Sequence, residues 1–443
     1  MSSKLPTEFI TQLQKQPGVD VDAFLKSLEQ PPPVSLRINP MKRINDFDDC
    51  DKIPWATGGV YLPERISFTM DPLFHAGCYY VQEASSMSLE QALRQIIDGD
   101  QPLKVLDLCA APGGKTTHML STLPQGSFVV SNEVIGSRNN ILQQNVSKWG
   151  YSNVVVTQND VKDFSRLAGF FDIVVVDAPC SGEGLFRKQP DAVEEWSLDA
   201  VAVCVTRQSN ILDAVYDSIK EGGFLIYSTC TFETSENEAQ CTRMIQQYKM
   251  QPVALPFLSE GIVQSPMGMR FYPHRIKGEG FFISVLQKTD TPPSVNFKNK
   301  THAPAGDTGF LAANIQNATD FITYKKKDEL YAFPKQHSQD IQLVMDRFFV
   351  RKAGVHLGTV KGKDLVPSHE LALSNELHSG IQKMELSRDQ AIAYLRCETV
   401  SLTNIRSGWA VVTYKGFALG WIKGIGNRIN NYFPRNLRIL KSA

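Results

Sequence analysis

The stretch VLDLCAAPGGKTTHML at residues 105–120 decides the fold. A short apolar run of strand length passes into a turn of small residues, and the turn passes into a helix start at Gly114-Lys115-Thr116. At such a junction of an open sheet, glycines let the backbone approach a ligand and the helix N-terminus offers free N–H groups.

Working outward, further buried-strand runs occur at residues 128–133, 153–158, 171–177, 223–229 and 281–287, and Lys104–Cys109 is the first of the series. Helix-length segments separate most of them; in residues 137–149, Ile141, Leu142, Val146 and Trp149 fall on one face. This alternation predicts an α/β fold, a doubly wound and mostly parallel sheet over residues 76–290. Residues 1–75 read as a small α/β domain. Two amphipathic helices (Phe9, Ile10, Leu13; Phe24, Leu25, Leu28) stop at Pro31-Pro32-Pro33, and a strand begins at Val34. Residues 291–320, rich in Pro, Thr, Asn and Gly, read as a linker. Residues 321–443 form a β-rich C-terminal region whose end carries Lys415, Lys423, Arg428, Arg435, Arg438 and Lys441 with no acid among them.

The bulk numbers exclude several classes. No apolar run in the 443 residues exceeds strand length, whereas about 20 residues are needed to span a bilayer. The N-terminus has no apolar core before a cleavage site, so a cytoplasmic protein is expected. Eight scattered cysteines make no disulfide framework, and none are paired at zinc-site spacing, so no metal is expected. Net charge is zero, yet residues 291–443 hold 21 Lys+Arg against 12 Asp+Glu, and the first 290 hold 25 against 34. A basic C-terminal third beside an acidic remainder suggests a polyanionic partner met by one part of the chain.

Three ligands suit the loop at residue 109. A dinucleotide site wants G-x-G-x-x-G, which is missing. A P-loop wants G-x-x-x-x-G-K-[ST]; Gly114-Lys115-Thr116 supplies its end, but Cys109 stands at the first glycine. S-adenosylmethionine would lay its methionine part over Cys109, Ala110, Ala111, Pro112, Gly113, Gly114 and Lys115. Its ribose would face Glu133 at the next strand end, and its adenine side would face Asp160 at the third. The loop alone leaves these open.

Two cysteines narrow the choice. Cys180 follows Val174-Val-Val-Asp-Ala-Pro, and Cys230 follows Leu225-Ile-Tyr-Ser-Thr. Both sit at carboxyl ends of strands, on the rim that holds the glycine loop. A lone cysteine at a strand end is more often core. Two such thiols suit covalent chemistry on a pyrimidine. Carbon 5 of cytosine becomes nucleophilic only after a thiolate adds to carbon 6, and a second group must then take a proton and help expel the thiol.

With these motifs in place, LCAAPGGKT at 108–116, DAPCSGEG at 177–184 and STCTF at 228–232 resemble the Nol/Nop/Sun family of RNA cytosine-5 methyltransferases. Tyr80-Val-Gln-Glu-Ala-Ser-Ser-Met, Glu236-Asn-Glu, Arg270-Phe-Tyr-Pro-His and Gly280-Phe-Phe fit the same family, and Lys148 stands where many relatives have Arg. The resemblance implies a Rossmann-like class I methyltransferase, Cys230 as nucleophile, Cys180 in product release, Asp177 facing the base, and donor contacts at Cys109–Lys115, Glu133, Asp160 and Asp177. The two ends of the chain resemble those of a narrower group, the bacterial small-subunit rRNA methyltransferase F enzymes. That resemblance implies a PUA-like module (Gly408-Trp409, Gly420-Trp421-Ile422-Lys423), 16S rRNA or the small ribosomal subunit as partner, and action as a monomer. Plainer readings stand beside some residues. Ser235 and Glu238 have capping-box spacing, Tyr79 and Tyr80 read as packing, His274 as structural, and Gly184–Lys188 as either a phosphate-closing loop or a solvated turn.

Overall fold

The computed structural model describes residues 5–255, 259–293, 308–400, 402, 406–426 and 428–440. Valine-rich runs such as Val154–Thr157 and Val174–Val176 are buried throughout, as strands covered on both faces must be. They lie in a ten-stranded sheet. Its order is Val263–Ser265, Gly268–Phe271, Phe281–Lys288, Ile219–Thr229, Phe171–Asp177, Lys104–Asp107, Phe128–Asn132, Val154–Thr157 and Val350–Ala353, with Met250–Pro252 paired on Phe281–Lys288. The five strands from Ile219–Thr229 to Val154–Thr157 are parallel. Helices Leu198–Val215, Glu238–Gln247 and Ser338–Arg347 pack on one face, and Leu89–Ile96, Gly114–Thr122 and Gly136–Trp149 on the other. The sheet is doubly wound, as expected. Its growth reverses between Lys104–Asp107 and Phe171–Asp177, which opens the ligand crevice at their carboxyl ends.

The flanking regions divide differently from the sequence reading. Tyr79–Val81 falls beyond the boundary set at residue 75, yet it is the third strand of the small N-terminal sheet, paired with Val34–Ile38 opposite Gly59–Leu62. The two leading helices bury Phe9, Leu13 and Phe24 against Phe186, Trp196, Phe232 and Tyr272 of the catalytic unit. The stretch set as a linker at 291–320 contains a helix, Thr308–Asn314, with Leu311 buried; residues 294–307 lie outside the described residues, as does Lys441. Residues 321–443 hold two four-stranded sheets, Phe321–Pro367 and Lys383–Asn431. Between strands of the first, Val350–Ala353 leaves to pair antiparallel with Val154–Thr157 at the catalytic sheet's edge. No helix among the described residues is long and apolar enough to cross a membrane.

One buried ammonium joins three of these parts. Lys42 Nζ donates to Ala76 O (3.0 Å), Lys148 O (2.7 Å) and Leu373 O (2.7 Å), at the ends of three helices from the N-terminal, catalytic and C-terminal regions. Helix C-termini carry unpaired carbonyls and partial negative charge, so a cation satisfies all three at once. Burial pulls the Lys42 pKa down to about 8, so the charged form still prevails at neutral pH. Gly77 lets the ends meet: it takes φ +74°, and a Cβ there would lie 2.0 Å from Lys148 O. Lys42→Met should therefore destabilise the fold by about 3–5 kcal/mol, because three buried carbonyls lose their donor. A urea-unfolding midpoint equal to wild type would contradict this role.

Candidate active site

The parallel register sets Asp177 beside Ser228, so the loops leaving both strands start side by side. They carry the two thiols into contact: Cys180 Sγ lies 3.1 Å from Cys230 Sγ, and the Cys230 N–H donates to Cys180 Sγ at 3.3 Å. The hydrogen bond to Cys230, together with burial, raises the Cys180 pKa well above the ordinary thiol value.

Two buried carboxylates cross between these loops. Glu183, on the Cys180 loop, accepts from Thr231 Oγ1 and Phe232 N (2.9 Å each) on the Cys230 loop, and from Trp196 Nε1 at 2.9 Å. In the other direction Glu236 accepts from Ser181 N (3.0 Å), Ser181 Oγ (2.5 Å) and Gln208 Nε2 (2.8 Å). Gly184 N donates to Cys230 O at 2.8 Å and closes the brace. Burial and nearby Glu233 push Glu183 up to about 8 despite its three donors; burial likewise raises Glu236. Such groups are retained at a cost, which points to a positioning task.

Next to the thiols, the small-residue turn reaches helix Gly114–Thr122 through Gly113, whose φ of +108° side chains rarely adopt. Asp107, Glu133 and Asp177 all lie near enough to Cys109 to raise its pKa, after burial, the largest cause. Asp107 is fully buried on Thr116 Oγ1 (2.6 Å) and pushed up to about 7, chiefly by burial. Glu133 accepts from Ile135 N at 2.9 Å and lies 3.6 Å from Arg138. Lys115 Nζ is paired with Asp177 at 2.7 Å, and Ser228 Oγ donates to the other Asp177 oxygen at 2.8 Å. A triphosphate would meet this set of carboxylates with its P-loop-like lysine already engaged. A ligand bearing a sulfonium and an ammonium is complementary to it, and Glu133 at the second strand end suits a ribose diol. The residues fit S-adenosylmethionine and argue against the triphosphate reading.

The crevice thus gathers Cys230, Cys180, Asp177, Cys109–Lys115 and Glu133 on one rim. Asp160 stands at the next strand end, exposed, with one carboxylate oxygen accepting from Lys162 N at 2.9 Å. Among the described residues, no three His, Cys, Asp or Glu side chains gather as metal ligands. The capping box does not form: Asn237 precedes helix Glu238–Gln247 without a side-chain cap, and Glu238 instead pairs with buried Arg270. Arg187 is nearly buried on Glu279 at 3.0 Å, so its loop offers no free guanidinium to a phosphate. Tyr79 packs among Phe47, Phe68 and Phe74, and His274 against Phe24, both as structural residues. Sequence reading missed the brace. Its one signal was Glu183 within the first cysteine motif and Glu236 in the stretch after the second, neither with an assigned task.

Family profiles described as "16S rRNA methyltransferase RsmB/F", "N-terminal domain of 16S rRNA methyltransferase RsmF" and "Methyltransferase RsmF PUA domain" match residues 95–287, 5–84 and 381–439. Ribosomal RNA small subunit methyltransferase F from Enterobacter sp. (strain 638) is 30% identical over 98% of this chain and 95% of its own length. The protein of that name from Aliivibrio fischeri (strain MJ11) is 30% identical over 98% and 97%. A methyltransferase homolog from Pyrococcus horikoshii superposes with a TM-score of 0.54 at 26% identity, over 63% of this chain and 93% of that one. NSun6 from Pyrococcus horikoshii, solved with SFG, shares the fold at 0.54 and 20% identity, over 64% and 98%. The chain belongs to the ribosomal RNA small subunit methyltransferase F family, the methyltransferases of 16S rRNA.

Proposed function

We propose that this protein methylates carbon 5 of a cytosine in 16S rRNA through a covalent bond between Cys230 and the base. The contact of two thiols at neighbouring strand ends, beside the donor loop, carries the reading. The donor of this methyltransferase family, S-adenosylmethionine, supplies an electrophilic methyl group on its sulfonium.

The chain's own residues do the rest. Cys109–Lys115 and Glu133 hold the donor, with Asp160 at the far end of its site. Asp177, held by Lys115 and Ser228, presents a carboxylate to the cytosine's polar edge. Cys230 releases its thiol proton to solvent and bonds through Sγ to carbon 6; the ring's electron density shifts to carbon 5, which takes the methyl while the bonding pair stays on the donor sulfur. The carbon-5 proton then leaves, and the carbon–sulfur electron pair returns to Cys230. Cys180 is placed for that last stage: once Cys230 is bonded to carbon 6, the neighbouring sulfur no longer holds Cys180 protonated, so Cys180 can lose its proton to solvent, accept the carbon-5 proton and, as a thiol again, hydrogen-bond the departing Cys230 sulfur. The basic C-terminal sheet, within the PUA match, supplies cations and aromatics for the RNA.

Transfer of labelled methyl groups to 16S rRNA tests the roles. Cys230→Ala should lower the rate by more than about 10³-fold. Cys180→Ala should instead accumulate a denaturation-resistant protein–RNA adduct. Normal methylation by both variants would sink the mechanism. Glu236→Ala should lower kcat by about 10²-fold with the donor Kd changed by no more than about twofold, since it misplaces the thiols and leaves the donor loop alone. A loss confined to donor affinity would refute the positioning role.

A further inference from the structure

The edge strand Val350–Ala353 delivers Phe349 to the donor rim. Its backbone is fixed there: Phe349 O accepts from Gln158 N at 3.0 Å, and Phe349 N donates to Asn159 Oδ1 at 3.0 Å. Gln158 and Asn159 lead from strand Val154–Thr157 into Asp160. Gln158 Nε2 also donates to Val134 O at 3.3 Å, which links Phe349 to the turn after Glu133. Arg351 donates to Asn140 Oδ1 at 2.8 Å and ties the same strand to helix Gly136–Trp149.

Around this junction Val134 is 53% exposed, Ile135 49% and Phe349 55%. Exposed apolar side chains on turns linked through Gln158 offer a surface for a ligand to cover. Here the surface continues directly from Glu133, whose carboxylate suits a ribose diol, so the covering group is the base attached to that ribose. Flat heteroaromatic rings gain from aromatic and aliphatic walls.

We propose that Phe349 forms the outer wall of the adenine site for the methyl donor, so that the C-terminal third of the chain completes a cofactor site otherwise built by the catalytic unit. This rests on S-adenosylmethionine occupying the loop at Cys109–Lys115. Phe349 reaches the rim only because its strand joins the catalytic sheet, so the site is complete only when the C-terminal third is docked.

Calorimetric titration of the full chain with S-adenosylhomocysteine tests this without turnover. Phe349→Ala should raise the Kd about three- to tenfold, and Phe349→Trp should keep it near wild type. Exposure of the ring means both variants should melt as wild type does. An unchanged Kd in Phe349→Ala would overturn the inference while sparing the donor reading, and so would a loss confined to affinity for a 16S rRNA fragment. Failure of the wild-type protein to bind S-adenosylhomocysteine would overturn both.

Discussion

Everything at the active rim depends on two carboxylates that cross between the loops of Cys180 and Cys230. Glu183 reaches from the first loop to the backbone and hydroxyl of the second, and Glu236 reaches back to Ser181. Burying a carboxyl group is costly, and hydrogen bonding offsets only part of that cost. Each here accepts three hydrogen bonds from groups that would otherwise be loop atoms free to move. The result is a thiol pair at 3.1 Å whose separation is set by rigid neighbours rather than by the cysteines themselves. The covalent route proposed here, with a second group acting at release, needs that precision, because small misplacement weakens proton transfer steeply.

A second constraint orients the modules around the rim. Lys42 collects helix ends from three regions, and Val350–Ala353 stitches the C-terminal third into the catalytic sheet. The leading helices pack on Phe186 and Phe232, close to both cysteine loops. The basic C-terminal sheet is thus held in a defined relation to the thiols.

Much of this was legible in the chain, for identifiable reasons. The central strands are buried on both faces, so their valine runs stand out, and the cysteine pair is conspicuous because both lie at strand ends. The brace was hidden: Glu183 finds Thr231 and Phe232 48 and 49 residues away, and nothing local marks the pairing. Val350–Ala353 was invisible because Arg351 and Lys352 break any apolar pattern; buried Lys352 pairs with Glu370 and donates to Gly354 O. A boundary at residue 75 leaves out Tyr79–Val81, because a three-residue strand has no period of its own. The spacing Ser235-x-x-Glu238 suggested a cap, but Arg270, a residue brought in by the sheet, claims Glu238 instead.

The central claim is that Cys230, and not Cys180, bonds to the base. It is tested most directly by trapping wild-type protein on 16S rRNA containing 5-azacytidine in the presence of S-adenosylmethionine, then digesting with nuclease and protease and mapping the adduct by mass spectrometry. A methylated azacytosine nucleotide is expected on the peptide that contains Cys230. An adduct on the Cys180 peptide, or methylated RNA with no adduct on either, would contradict it.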